Sequence, residues 1–181
     1  MVYARAMPRS DLRVQFAHGL ESSPQGTKAR LLAGAFTART PAMDTRHFGA
    51  CVELHARVLE EFQPHVLVGS SFGGAVVVEL LMRGLFRGPT LLLAQAAVRY
   101  RADARLPEGV PVTLVHAPLD EVVPFAGSEQ LARTGTPGLV TLISCEDDHA
   151  LTHFCARGAL ESAVEALDAR APVEIPVVRV V

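Results

Sequence analysis

Lysine is almost missing from this sequence: Lys28 stands alone among 17 basic residues, the rest being arginine. The imbalance reads as compositional bias without functional weight. Acids and bases nearly cancel, to a formal net charge of −2. No basic stripe offers itself to nucleic acid, and there is no acidic tail. Cysteine is scarce and odd in number. Cys51, Cys145 and Cys155 make no disulfide framework, which points to a reducing, cytoplasmic compartment. Long apolar runs are missing too. The richest stretch, residues 66–81, is broken by GSSFGG and carries Glu79, whereas a membrane span needs about 20 mostly apolar residues. The arginines near the start precede no apolar segment, which argues against a signal peptide. No repeat, low-complexity tract or linker is visible.

What is present is 181 residues, 49% of them hydrophobic. That suffices for one domain with a real core, residues 1–181, and is too little for two. Residues 1–10 are expected to be flexible or peripheral, and 171–181 to form a C-terminal tail. Short apolar runs alternate with amphipathic patterns, the mark of an α/β protein. Strands are predicted at 12–17, 43–48 (weakly), 66–69, 89–94, 110–116 and 139–145. Helices are predicted at 27–37, 52–62, 72–83, 125–133 and 159–170. The expected architecture is a three-layer sandwich with a mainly parallel sheet of about six strands. Right-handed crossovers place helices on both faces. Ligands in such sheets bind beyond the carboxyl ends of the strands.

One of those ends carries Gly69-Ser70-Ser71-Phe72-Gly73, between a predicted strand and a predicted helix. This is G-x-S-x-G in the context that the motif requires. Ser71 must project from a sharp turn, and the glycines flank it because side chains there would strike the neighbouring strand or helix. Without chemistry, the same residues would be a glycine-rich turn or a phosphate cradle. The frame of the two glycines selects Ser71 over Ser70.

A serine hydroxyl needs a base near neutral pH. Hydrolases built on such an elbow order their triad as nucleophile, acid, histidine. Downstream, VTLVHAPLDEVVP offers Asp120 and VTLISCEDDHALTH offers His149, each just past a predicted strand. His153 and His116 compete with His149. Asp147 and Asp148 compete with Asp120 but lie too close in sequence to the histidine. The loop after the first strand, His18-Gly19-Leu20, and the start of the helix after Ser71 nominate the backbone amides of Leu20 and Phe72 as oxyanion donors. The His18 side chain is either a loop-pinning residue or a substrate contact.

With HG, GSSFGG, D-x-V-V-P and DDH in this order, the chain resembles the α/β-hydrolase superfamily over nearly its full length. HGLESSPQGTKA and GSSFGG carry a closer resemblance to small bacterial serine esterases of the YqiA type. The resemblance implies hydrolysis of short esters through an acyl-enzyme, with neither a metal nor an organic cofactor, by a triad of Ser71, Asp120 and His149. Two departures stand out. The superfamily's first two strands are missing. The cap usually inserted after its sixth strand is replaced by AQAAVRYRADARLPEG alone, giving a minimal, capless fold.

That short connection places Arg99, Tyr100, Arg101 and Arg105 near the expected cleft mouth. They either contact substrate, the arginines holding an anionic group, or form a solvated loop. The apolar tail could pair as an edge strand, run over the surface or bridge to a second subunit, although two prolines limit central pairing. The spacing of Cys145, His149, His153 and Cys155 fits no familiar zinc arrangement. The leading reading is therefore a small carboxylic ester hydrolase acting on a small-molecule ester or thioester, with no nucleic-acid or membrane partner. A thioesterase, an amidase or an acyltransferase would use the same triad. A non-catalytic binding protein could keep the same fold.

Overall fold

A computed structural model describes residues 9–169. The expected tail, 171–181, and most of the expected N-terminal extension lie outside these residues. The strands are β1 (Arg9–Ala17), β2 (Phe36–Arg39), β3 (Val66–Ser70), β4 (Thr90–Leu93), β5 (Val112–His116) and β6 (Val140–Ser144). The helices are α1 (Thr27–Ala35), α2 (Phe48–Phe62), α3 (Phe72–Met82), α4 (Ala97–Tyr100), α5 (Phe125–Ala132), α6 (Thr152–Ala156) and α7 (Ala159–Asp168).

All strand pairs are parallel, in the order β2-β1-β3-β4-β5-β6. The chain leaves β1 in one direction and returns over it to β3, so the order reverses between these two strands. Such a reversal opens a crevice at their carboxyl ends. Strand alternation divides the core into two. Val14, Phe16, Val66, Val68, Leu91 and Leu93 face α1, α6 and α7, where Leu32, Phe154 and Leu160 cover them. Leu67, Leu92, Val112 and Leu114 face the other way, onto Leu59 of α2, Val77 of α3 and Leu131 of α5.

Three expectations need correction. The strand expected at 43–48 is absent from that segment, and β2 lies earlier, at Phe36–Arg39. The helical pattern of α1 continues into Phe36 and Thr37, but the chain turns extended straight after Ala35, and β2 pairs with β1 through Val14↔Ala38 and Gln15↔Arg39. Residues 43–48 are apolar at their ends because Met43 and Phe48 pack on the core. Asp44 turns the chain between them, taking the Arg46 N–H on its side chain and the His47 N–H on its carbonyl. Second, β1 starts at Arg9, within the segment expected to be peripheral. Third, α2 starts at Phe48 instead of Val52. In the place of a cap, β4 and β5 are joined by a segment whose only helix is the four-residue α4.

Candidate active site

The turn from β3 to α3 holds Ser71 at φ 54°, ψ −117°. A non-glycine residue held there costs on the order of 1–3 kcal/mol and persists only where its surroundings enforce it. They do so on both sides. The Ser71 N–H donates to the Leu93 carbonyl at 2.9 Å, and its own carbonyl accepts from the Ala96 N–H at 3.1 Å. The flanking glycines are required by close approach. A Cβ on Gly69 would lie 2.6 Å from the Gly73 carbonyl oxygen, and one on Gly73 would overlap the Ala17 carbonyl at the end of β1. The elbow is thus wedged into the crevice where the strand order reverses.

Ser71, Asp120 and His149 come together there. The Ser71 hydroxyl donates to His149 Nε2 at 3.1 Å, and His149 Nδ1 donates to Asp120 Oδ2 at 2.7 Å. The Asp120 side chain is fully buried, while that of His149 keeps 24% of its surface exposed. Asp120 Oδ1 accepts the N–H groups of Val122 (2.8 Å) and Val123 (2.9 Å). Burial pushes the Asp120 carboxyl up, but the hydrogen bonds from His149, Val123 and Val122 outweigh it and hold the group below the usual carboxylate range. It is therefore an ionised acceptor facing an imidazole N–H.

The competitors are placed elsewhere. Ser70 is buried at the end of β3. His153 is exposed and pairs with Asp147 at 3.3 Å. Asp147 also accepts the N–H groups of Asp148, His153 and Phe154, and Asp148 accepts both the N–H and the hydroxyl of Thr152. These two acids build the loop that carries His149. His116 lies behind Asp120, fully buried, with Nε2 3.1 Å from Oδ2 and 3.0 Å from the Val123 carbonyl.

The loop after β1 crosses the elbow. A Cβ on Gly19 would lie 3.5 Å from that of Ser71, and Leu20 follows in a turn closed by the Ser22 N–H on the Gly19 carbonyl. Phe72 begins α3, so its amide is among those that a helix leaves without an internal partner. His18 is buried. Its Nδ1 donates to the Gly19 carbonyl at 2.9 Å, and its Nε2 accepts the Met43 N–H at 3.4 Å. With both ring nitrogens engaged, it clamps the loop. The Tyr100 ring stacks on Phe48 and meets Phe72 edge-on, with centroids 4.9 and 5.3 Å apart. Arg99 lines a cavity beside the site.

Sequence reasoning missed two contributors. Gln95 donates to Ser128 Oγ at 3.0 Å, and Ser128 Oγ lies 2.7 Å from His116 Nδ1, extending the polar chain behind Asp120. Lys28 reaches over from α1 to the carbonyl of Ala150, next to His149. No sequence spacing announces either link. Among the described residues, no group of three metal-ligating side chains converges, the three cysteines are unpaired, and no helix is long and apolar enough to cross a membrane.

No family model matches the chain, and no curated protein matches it. Solved structures do. A protein from Xanthomonas campestris pv. campestris assigned to the alpha/beta superfamily of hydrolases is 25% identical, with a TM-score of 0.67 over 87% of this chain and 98% of that one. Est1E from Butyrivibrio proteoclasticus is 16% identical, with a TM-score of 0.67 over 88% of this chain and 90% of that one. An alpha-beta serine hydrolase homologue from Coxiella burnetii is 17% identical, with a TM-score of 0.64 over 90% of this chain and 88% of that one. The chain thus has the fold of a small α/β hydrolase, with no cap between β4 and β5.

Proposed function

We propose that the protein is a serine hydrolase that cleaves small carboxylic esters through an acyl-enzyme. The observation that carries this reading is the continuous hydrogen-bonded line Ser71–His149–Asp120, with separations of 3.1 and 2.7 Å. His149 Nε2 takes the Ser71 hydroxyl proton as Oγ attacks the ester carbonyl carbon. Negative charge collects on the former carbonyl oxygen, which the amides of Leu20 and Phe72 receive. As the tetrahedral adduct collapses, the bond to the alcohol oxygen breaks and His149 delivers its proton to that oxygen. Water then repeats the sequence against the acyl-enzyme, releases the acid and restores Ser71. Asp120 holds the imidazole with its proton on Nδ1 and offsets the positive charge formed at each step. Three cysteines without partners suit a reducing compartment such as the cytoplasm.

The test is labelling with a fluorophosphonate and turnover of para-nitrophenyl acetate. Wild type is expected to be labelled at Ser71, Ser71→Ala to lose labelling and about 10⁶ in turnover, and Asp120→Asn to lose about 10⁴. Undiminished labelling of Ser71→Ala would overturn the assignment.

A further inference from the structure

Beside the site, between α4 and α5, lies a cavity of about 260 Å³. Val98, Val123, Pro124 and Ala126 give it apolar walls, and Arg99 is the only charged residue that lines it. The cavity adjoins the candidate triad at two points. Ala96, in its wall, donates to the Ser71 carbonyl at 3.1 Å, and Val123 donates to Asp120 Oδ1 at 2.9 Å. These two contacts set the cavity directly beside the residues of the candidate triad. The volume lies below the roughly 300–1,000 Å³ of pockets that take drug-sized ligands, and it suits a chain of a few carbons.

The arginines of the connection between β4 and β5 differ in their commitments. Arg101 is bonded to the buried Glu79 at 2.9 Å and to Asp103 at 2.9 Å. Arg105 pairs with Asp103 at 3.7 Å. Among the described residues no acid forms an ion pair with Arg99, and no acid lines the cavity. Arg99 is exposed at the edge of these apolar walls and is paired with no acid among the described residues, which leaves it open to an anion. A guanidinium holds a carboxylate with paired N–H donors.

We propose, on the basis of the hydrolase reading above, that Arg99 is a specificity residue. In this assignment the substrate is a short ester that carries a carboxylate on one of its halves, with its carbon chain in the cavity and the carboxylate on Arg99.

Two matched substrate pairs test this. The first is the mono-para-nitrophenyl ester of adipic acid against its terminal amide, which places the charge on the acyl half. The second is para-carboxyphenyl acetate against para-carbamoylphenyl acetate, which places it on the alcohol half. The readout is the charged-to-neutral ratio of kcat/KM, in which intrinsic ester reactivity cancels between enzymes. For one pair, Arg99→Ala is expected to lower this ratio about tenfold, the size of one charge-assisted hydrogen bond partly open to water. Arg99→Lys should retain part of the preference, and added salt should reduce it in the wild type. A ratio identical in wild type and Arg99→Ala for both pairs overturns the assignment of Arg99 and leaves the hydrolase reading intact. Neutral-ester turnover that persists in Ser71→Ala overturns the hydrolase reading, and with it the proposal.

Discussion

His116 Nε2 lies 3.1 Å from Asp120 Oδ2, the same oxygen that receives His149 Nδ1 at 2.7 Å. For a neutral His116 ring, only one proton arrangement satisfies every partner. His116 Nε2 faces two acceptors, Asp120 Oδ2 and the Val123 carbonyl, so it carries the proton. Its Nδ1 must then accept from the Ser128 hydroxyl, whose oxygen accepts from Gln95. Burial holds His116 below its ordinary pKa, against the opposing pull of the Val123 carbonyl and Asp120. The ring is therefore neutral and presents a fixed N–H to the carboxylate.

His116→Leu removes that donor and leaves the Ser128 hydroxyl without its acceptor. With Asp120 freer to turn, kcat for para-nitrophenyl acetate should fall about tenfold to a hundredfold with KM little changed, because the loss is in alignment of the base. Thermal denaturation should show a loss of about 1–3 kcal/mol for the unpaired buried hydroxyl. An unchanged kcat would remove His116 from any part in positioning Asp120.

Lys28 links two loops of the site that are far apart in sequence. It sits on α1, directly after the loop that carries Leu20, and its ammonium donates to the Ala150 carbonyl. Burial lowers its pKa, while Cys155, Asp148 and Asp147 push the other way. Lys28→Met keeps the stem and removes the donor. The expected result is a fall in kcat of about tenfold with a smaller effect on KM, since the His149 loop loses its anchor without losing a substrate contact. Steady-state kinetics that match the wild type would show that the loop holds its position without the lysine.

The fold and the site were legible to different depths. The elbow could be read because its geometry is local: Gly69, Ser71 and Gly73 are fixed by one tight turn. Asp120 and His149 could be read because each follows an apolar strand, and parallel strands end on the same side. β2 was misread because four extended residues follow α1 without a breaker, so the helical pattern ran through Phe36 and Thr37. The Gln95–Ser128–His116 chain was hidden because its members come from three separate segments. The Lys28 contact is not legible, since nothing in its neighbours names a carbonyl 122 positions away.

Two glycines should respond to alanine in opposite directions. At Gly73 the new methyl would overlap the Ala17 carbonyl, a backbone atom of a central strand that cannot step aside. Gly73→Ala should destabilise by more than about 4 kcal/mol, or fail to give folded protein. Gly34 lies on the exposed face of α1, and no atom would come within 4 Å of its Cβ. Gly34→Ala should stabilise by about 0.5–1 kcal/mol through helix propensity and a less flexible unfolded chain. Urea denaturation measures both, and a folded, wild-type-like Gly73→Ala would contradict the packing of the elbow.

His55 is expected to make stability fall on mild acidification. It is fully buried on α2, and Gln15 of β1 donates to its Nδ1 and to its carbonyl, each at 3.0 Å. Among the described residues, Gln15 Oε1 and His55 Nε2 have no hydrogen-bond partner. Burial, helped by repulsion from His18, lowers the His55 pKa from 6.5 to about 4. The sign follows from linkage. Above the unfolded value of about 6.5 neither state binds the proton, and His55 contributes no slope. Between 6.5 and about 4 the unfolded chain takes up a proton that the native state refuses, so stability drops as pH falls. The full loss approaches about 3 kcal/mol near pH 4 and then levels off as the native state also titrates. His116, held below its ordinary value as well, adds to the same slope. Replacing the pair together, Gln15→Leu with His55→Leu, removes the titrating group and both unpartnered atoms. Urea titrations from pH 7.5 to 4.5 should then show a distinctly flatter pH dependence than the wild type. An unaltered slope would mean that the acid sensitivity originates elsewhere in the chain.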